Sequence, residues 1–224
     1  MDPAPKDRPY VTVSYAQSLD GRIATVNGES RWISGPETLE LAQELRRDNQ
    51  AVAVGIGTAL RDDPLLTCRL PGARAPVRAL FDSRLRLPLD GRLAATAREA
   101  PVLVFHCAGD AEADARRSAL ARAGIETVHI PRREDGLLDP RAALEELARR
   151  GVRRLLVEGG ARLITAFLGG RLVDRLVLVS APIFIGRGLD AVGELGTARL
   201  SQALHFRTIA HEFRGKDSVW TLEA

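Results

Sequence analysis

Short apolar, β-branched runs alternate with helical segments along this chain, and that alternation limits the fold more than any other feature. Residues 10–16, 51–54, 77–81, 102–105, 125–130, 152–157 and 172–180 read as strands. Residues 34–48, 111–123, 139–148 and 161–168 read as helices. Parallel strands joined by helical crossovers bury both faces of their sheet, so the pattern predicts an α/β fold with a mostly parallel sheet flanked by helices. The last third changes character. Residues 204–213 and 218–222 alternate around Arg214-Gly-Lys-Asp217, which predicts a C-terminal antiparallel hairpin at one edge of the sheet.

The local signals agree. Ser34-Gly-Pro-Glu37 offers an N-cap serine, a proline in the first turn and a glutamate three residues after the cap; Leu39, Ala42 and Leu45 follow at helical spacing. Asp139-Pro140 starts a helix that Gly151 stops. Asp20-Gly21 marks a turn, and residues 22–24 read as a short return strand.

With 224 residues and 45% hydrophobic content the chain can bury one sizeable core, so we expect a loose arm at residues 1–8 and a single domain over 9–224. The net charge of +3 hides 32 basic and 29 acidic residues. No basic stripe interleaved with aromatics is present, which argues against nucleic acid and leaves a nucleotide or sugar phosphate as a fitting ligand. Cys68 and Cys107 lack metal or disulfide spacing, and His106, His129, His205 and His211 are scattered, so no metal site is expected. The N-terminus has no apolar signal region and no run approaches membrane length; a cytoplasmic protein is expected.

Two stretches carry candidate chemistry. Residues 51–54 run into Gly55 and Gly57, then through Thr58 to Asp62, Asp63 and Pro64, a strand expected to enter a polar turn where backbone, hydroxyl and carboxylates meet a ligand. Further on, Leu155-Leu-Val-Glu158-Gly159-Gly160 delivers a carboxylate at a strand end and opens a helix with two glycines. That is where open α/β sheets bind ligands, and free N–H groups at a helix start suit a pyrophosphate.

Ser18-Leu-Asp-Gly21, Ser30-Arg-Trp-Ile33, Val54-Gly-Ile-Gly-Thr58 with Asp62-Asp-Pro64, Leu66-Thr-Cys-Arg69, Asp82-Ser-Arg84 and Val157-Glu-Gly-Gly160 form one ordered series. In that order and spacing the chain resembles the riboflavin-biosynthesis pyrimidine reductases, the reductase half of the bifunctional deaminase-reductase. The resemblance implies a dihydrofolate-reductase-like fold, a homodimer, and NADPH as hydride donor with NADH as the alternative. It implies reduction of the ribosylamino side chain of a pyrimidine 5′-phosphate, diaminopyrimidinone or aminouracil, to ribitylamino. It sets Ala16, Trp32, Thr58, Asp62, Ser83, Gly159 and the run Gly160, Ala161, Arg162, Leu163 onward to Thr165 against the cofactor, with Ser83 and Arg84 as candidates for the adenosine 2′-phosphate. It sets Ser30, Arg46, Leu66, Arg69 and Glu158 against the substrate. Arginines suit the phosphate because a planar guanidinium pairs with two oxygens at once. Glu158 and Asp20 are the candidates for proton handling. No His-x-Glu with a downstream Pro-Cys-x-x-Cys occurs, so the zinc deaminase half is absent from this sequence. The rival readings are a reductase of the same fold recruited to another pterin or nucleoside, and a non-catalytic nucleotide-binding module.

Overall fold

The computed structural model describes residues 7–133 and 136–224, so most of the expected N-terminal arm lies outside the described residues. In chain order the elements are β1 (Tyr10–Ser18), β2 (Arg22–Thr25), α1 (Pro36–Asp48), β3 (Ala51–Gly55), α2 (Ile56–Asp62), β4 (Val77–Phe81), α3 (Arg92–Ala95), β5 (Val102–His106), α4 (Ala111–Arg122), β6 (Glu126–His129), α5 (Pro140–Arg149), β7 (Arg154–Val157), α6 (Ala161–Gly169), β8 (Arg175–Ala181), β9 (Gly188–Asp190), β10 (Arg207–Arg214) and β11 (Asp217–Glu223). They fall into two compact units, residues 7–10 with Arg46–Leu156 and Val11–Leu45 with Val157–Ala224. Mixed α/β architecture, a largely parallel strand arrangement and antiparallel C-terminal strands all match the expected class.

In the first unit β3, β4, β5 and β6 pair in parallel in that order. Residues 51–54, 79–81 and 102–105 are buried, and the Phe81 and Phe105 rings pack with centroids 5.4 Å apart. An apolar side chain fully buried in such a sheet contributes about 1.5–3 kcal/mol, which is why continuous rather than alternating apolar runs form these strands. The helices have conventional causes. Asp110 accepts the Ala113 N–H at 2.8 Å to cap α4, and Asp139 accepts the Arg141 N–H at 2.9 Å to cap α5, whose buried face is Ala143, Leu144 and Leu147.

In the second unit β1 pairs parallel to β8, β8 antiparallel to β11, and β11 antiparallel to β10. Two expectations need correction here. Residues 22–25 do form a strand, but β2 pairs with β9 in a separate antiparallel ladder instead of returning along β1. The serine expected to cap α1 stands one residue too early: Gly35 precedes the helix, and its N–H donates at 2.6 Å to the buried Asp217 carboxylate. The helical repeat Leu39, Ala42, Leu45 is only partly buried. Leu39 is exposed, whereas Leu41 packs with Val177, Val179 and Val219, with Ala16 and Leu45 against that cluster. A carboxylate contributed from β11 anchors the start of the helix, accepting the Gly35 N–H and the Thr38 hydroxyl.

Candidate functional site

The strand register of the first unit collects several candidate residues at one end. Gly55 pairs with Phe81 and Phe81 with Phe105, so β3, β4 and β5 end side by side. Thr58 and Asp62 follow the first, Ser83 and Arg84 the second, and His106 and Cys107 close the third. Crevices at the carboxyl ends of parallel strands are where α/β sheets take ligands. The polar turn expected after β3 is instead the short helix α2. Gly55, extended at φ −81°, leads into it, and Asp63 ends it in the left-handed region at φ 39° before Pro64. Thr58 and Asp62 therefore stand on helical backbone, both half-buried.

The turn after β4 is built around Asp82. Its side chain is fully buried, and Oδ2 accepts the Leu87 N–H at 2.9 Å. Burial pushes its carboxyl pKa up, against the pull of the Leu87, Arg86 and Arg84 N–H groups and the Arg86 guanidinium, whose Nε is 3.6 Å from Oδ1. The Ser83 carbonyl accepts the Cys107 N–H at 3.3 Å. Ser83 is thus tied through its carbonyl to the residue that follows β5, while Arg84 is exposed.

The substrate-side candidates Leu66 and Arg69 share the loop that follows Pro64. Leu66 is buried with φ 54°, a left-handed conformation that costs an L-residue about 1–2 kcal/mol. The carbonyls on either side of it each accept from an arginine: Leu65 from Arg78 at 3.2 Å and Thr67 from Arg46 at 3.1 Å. Arg46 and Leu66 are therefore drawn to one loop, and Arg69 leaves that loop exposed.

In the second unit, Glu158 follows the last residue of β7 and is half-buried. Gly159 and Gly160 then take φ 130° and 87°, conformations closed to residues with a Cβ except at a strain cost. Gly160 caps α6 with no side-chain hydrogen bond, and its carbonyl accepts the Leu163 and Ile164 N–H groups. The first turn holds no acidic residue and displays Arg162 to solvent. Half-buried Ala161 and buried Leu163 complete it. A helix start without a side-chain cap, its positive dipole end and an arginine suit an anion such as a dinucleotide pyrophosphate. Thr165, one turn on, accepts the Gly193 N–H at 2.8 Å.

Asp20 is engaged locally. Its carboxylate accepts the Ser18 hydroxyl at 2.5 Å, the Ile185 N–H at 3.1 Å and the Gly186 N–H at 2.6 Å. These donors, the serine first, hold its pKa down to about 2, so it is ionised throughout the neutral range. Ser30 accepts the Ile33 N–H through its carbonyl, and Trp32 lies on the surface, 69% exposed, with the Arg31 guanidinium 5.9 Å from its ring. Ala16 is half-buried against the Leu41 cluster.

Sequence reasoning passed over two of the residues that shape these loops. Arg78 is a charge in the middle of an otherwise apolar strand, a visible signal that nothing in the local pattern explained. Asp82 stands in the motif series with no role of its own; only the fold reveals that it is buried.

Strand ends of this kind and a glycine-opened helix define an α/β fold found among solved pyrimidine deaminase-reductases. RibD of Acinetobacter baumannii matches with a TM-score of 0.81 and 27% identity over 97% of this chain and 58% of that one. A diaminohydroxyphosphoribosylaminopyrimidine deaminase/5-amino-6-(5-phosphoribosylamino)uracil reductase of Thermotoga maritima matches with a TM-score of 0.78 and 30% identity over 97% and 57%. The chain belongs to the RibD C-terminal domain family, which it matches over residues 9–219. Riboflavin biosynthesis protein RibD of Aquifex aeolicus is 35% identical over 96% of this chain and 57% of its own length, so the chain spans about half of such relatives. A 2,5-diamino-6-ribosylamino-4(3H)-pyrimidinone 5′-phosphate reductase of Methanothermobacter thermautotrophicus is 41% identical over 82% of each chain. Among the described residues no helix is long and apolar enough to cross a membrane.

Proposed function

We propose that the chain is an NADPH-dependent reductase of riboflavin biosynthesis, converting the ribosylamino side chain of a pyrimidine 5′-phosphate, the diaminopyrimidinone or the aminouracil, to ribitylamino. The observation that supports this most strongly is the 41% identity, over four-fifths of both chains, to the Methanothermobacter reductase of the diaminopyrimidinone phosphate. In this reading residues 9–224 work as one reductase domain, in the cytoplasm and as a homodimer, as the family resemblance implies.

The residues present suit a phosphorylated dinucleotide. Gly159 and Gly160 let a pyrophosphate approach the start of α6, Arg162 adds charge there, and Ser83 with Arg84 offers a hydroxyl and a guanidinium for a 2′-phosphate, the feature that separates NADPH from NADH. Ala16, Trp32, Thr58 and Asp62 complete the cofactor set. When bound, the nicotinamide supplies hydride to C1′ of the ring-opened side chain. Arg46 and Arg69 hold the 5′-phosphate, Leu66 packs against the substrate, and Ser30 and Glu158 accept hydrogen bonds from the pyrimidine or its side-chain hydroxyls. Orientation of this kind contributes up to about 7–11 kcal/mol in well-aligned systems, and positioned proton transfer a further ~10²- to 10⁴-fold. Asp20, ionised and held by three donors, is committed to the 185–186 backbone, which leaves Glu158 as the carboxylate for proton management.

The test follows NADPH absorbance with each ribosylaminopyrimidine phosphate in turn. Oxidation that requires one of the two pyrimidines supports the assignment; tight NADPH binding without oxidation by either favours a recruited reductase or a binding module.

A further inference from the structure

Among the described residues Arg78 is the largest fully buried side chain, and its guanidinium donates to three carbonyls and a hydroxyl. Nη1 donates to the Leu65 carbonyl at 3.2 Å and to Thr96 Oγ1 at 2.6 Å; Nη2 donates to the Thr96 carbonyl at 2.9 Å and to the Ala100 carbonyl. Burial lowers its pKa, opposed by the charge of Glu99. A buried charge of this kind is a poor device for stability alone, since an apolar side chain of similar volume does as well or better. What it does is join two irregular pieces of backbone. One is the end of α3 and the turn to Ala100, the other the loop that begins at Pro64.

The same two pieces are tied a second time. Asp63 Oδ1 accepts the N–H of Arg92, the first residue of α3, at 2.7 Å, and the Thr96 hydroxyl that receives Arg78 donates to the Arg92 carbonyl at 2.7 Å. Helix α3 is thereby held at both ends, and residues 63–65 are held to it. Leu66 follows at once in the left-handed region, and Arg69 three residues later.

We propose that Arg78 is a positioning residue: with α3 as its anchor it fixes the Leu65 carbonyl, and through it the left-handed Leu66 and the direction in which Arg69 leaves the loop. The proposal rests on the reading of Leu66 and Arg69 as substrate-side residues. A lysine cannot reproduce the function, because it lacks the planar fork that serves four acceptors from one side chain.

The experiment compares wild type with Arg78→Lys, Arg78→Met and Thr96→Val by amide hydrogen exchange and by steady-state kinetics. Exchange of the 65–69 amides is expected to rise ~10-fold or more in all three variants, while β4 and β5 keep wild-type protection. The KM for the pyrimidine phosphate rises ~10-fold, with the KM for NADPH and kcat within about twofold of wild type, and Arg78→Lys lies between wild type and Arg78→Met. Uniformly faster exchange through β4 and β5 with both KM values shifted together, or unchanged exchange at 65–69, overturns the proposal. If Arg78→Met does not fold, Arg78→Lys and Thr96→Val decide the matter. Should the wild type reduce neither pyrimidine, the substrate reading fails, and hydrogen exchange alone still judges the brace.

Discussion

Asp217 Oδ2 accepts the backbone N–H of Gly35 at 2.6 Å across 182 residues of sequence, and the Thr38 hydroxyl at 3.2 Å. One carboxylate at the start of β11 therefore sets the first turn of α1. Replacing it by alanine strands a buried N–H, so Asp217→Ala should destabilise the protein by about 1–3 kcal/mol. Urea unfolding at neutral pH measures this; a change below about 0.5 kcal/mol, the scatter of ordinary surface substitutions, would show that water replaces the cap.

Gly160 carries a second prediction. Its φ of 87° admits a Cβ only with strain of about 1–2 kcal/mol, so Gly160→Ala should weaken NADPH binding by roughly tenfold if it distorts the start of α6. The KM for the pyrimidine should stay within a few-fold. Calorimetric titration with NADPH is the measurement, and equal affinity in variant and wild type would remove the α6 terminus from the cofactor site.

Asp20 supplies a pH dependence with a defined sign. Its pKa falls from an ordinary value near 3.8 to about 2 in the folded protein, so between those values the unfolded chain binds more protons. The stability it contributes is fully present above about pH 4 and is lost as pH falls towards 2. The stability gap between wild type and Asp20→Asn should accordingly narrow over that acid window and stay constant above it. Urea titrations at successive pH values read the gap; one that widens on acidification contradicts the assignment of Ser18, Ile185 and Gly186 as the donors.

Much of the architecture was legible because apolar runs and their terminators act locally. The strand at 77–81 coincides with β4 residue for residue, and Asp139-Pro140 and Gly151 bound α5 as expected. What escaped depends on partners distant in sequence. Ser34 looked like the cap of α1 until Asp217 proved to take the role. Residues 22–24 read as a return strand, yet β9, some 165 residues on, is their partner. The loop after β3 contained a helix because the two aspartates and Pro64 terminate one as readily as they start a turn. At the site, residue identities came from the motif series, whereas the arginines clasping the Leu65 and Thr67 carbonyls are tertiary contacts that no spacing encodes.

The Arg46 contact yields a further prediction. Because one guanidinium N–H already serves Thr67, Arg46 holds the loop as well as the proposed phosphate. Arg46→Lys keeps the charge but loses the fork, and charged hydrogen bonds of about 1.5–3 kcal/mol translate to a ~10- to 100-fold rise in KM for the pyrimidine phosphate. Steady-state kinetics against a dephosphorylated substrate provides the control: the penalty should shrink when the phosphate is absent, and a penalty of equal size on both substrates would make Arg46 purely structural.

The central claim is tested most directly by NADPH oxidation with the purified protein and the two ribosylaminopyrimidine phosphates, in wild type and in Arg69→Ala and Glu158→Ala. The account predicts oxidation that depends on one pyrimidine and falls ~10²-fold or more in each variant, with NADPH binding retained. Wild-type protein that binds NADPH but oxidises it with neither pyrimidine, or variants that turn over at the wild-type rate, would contradict it.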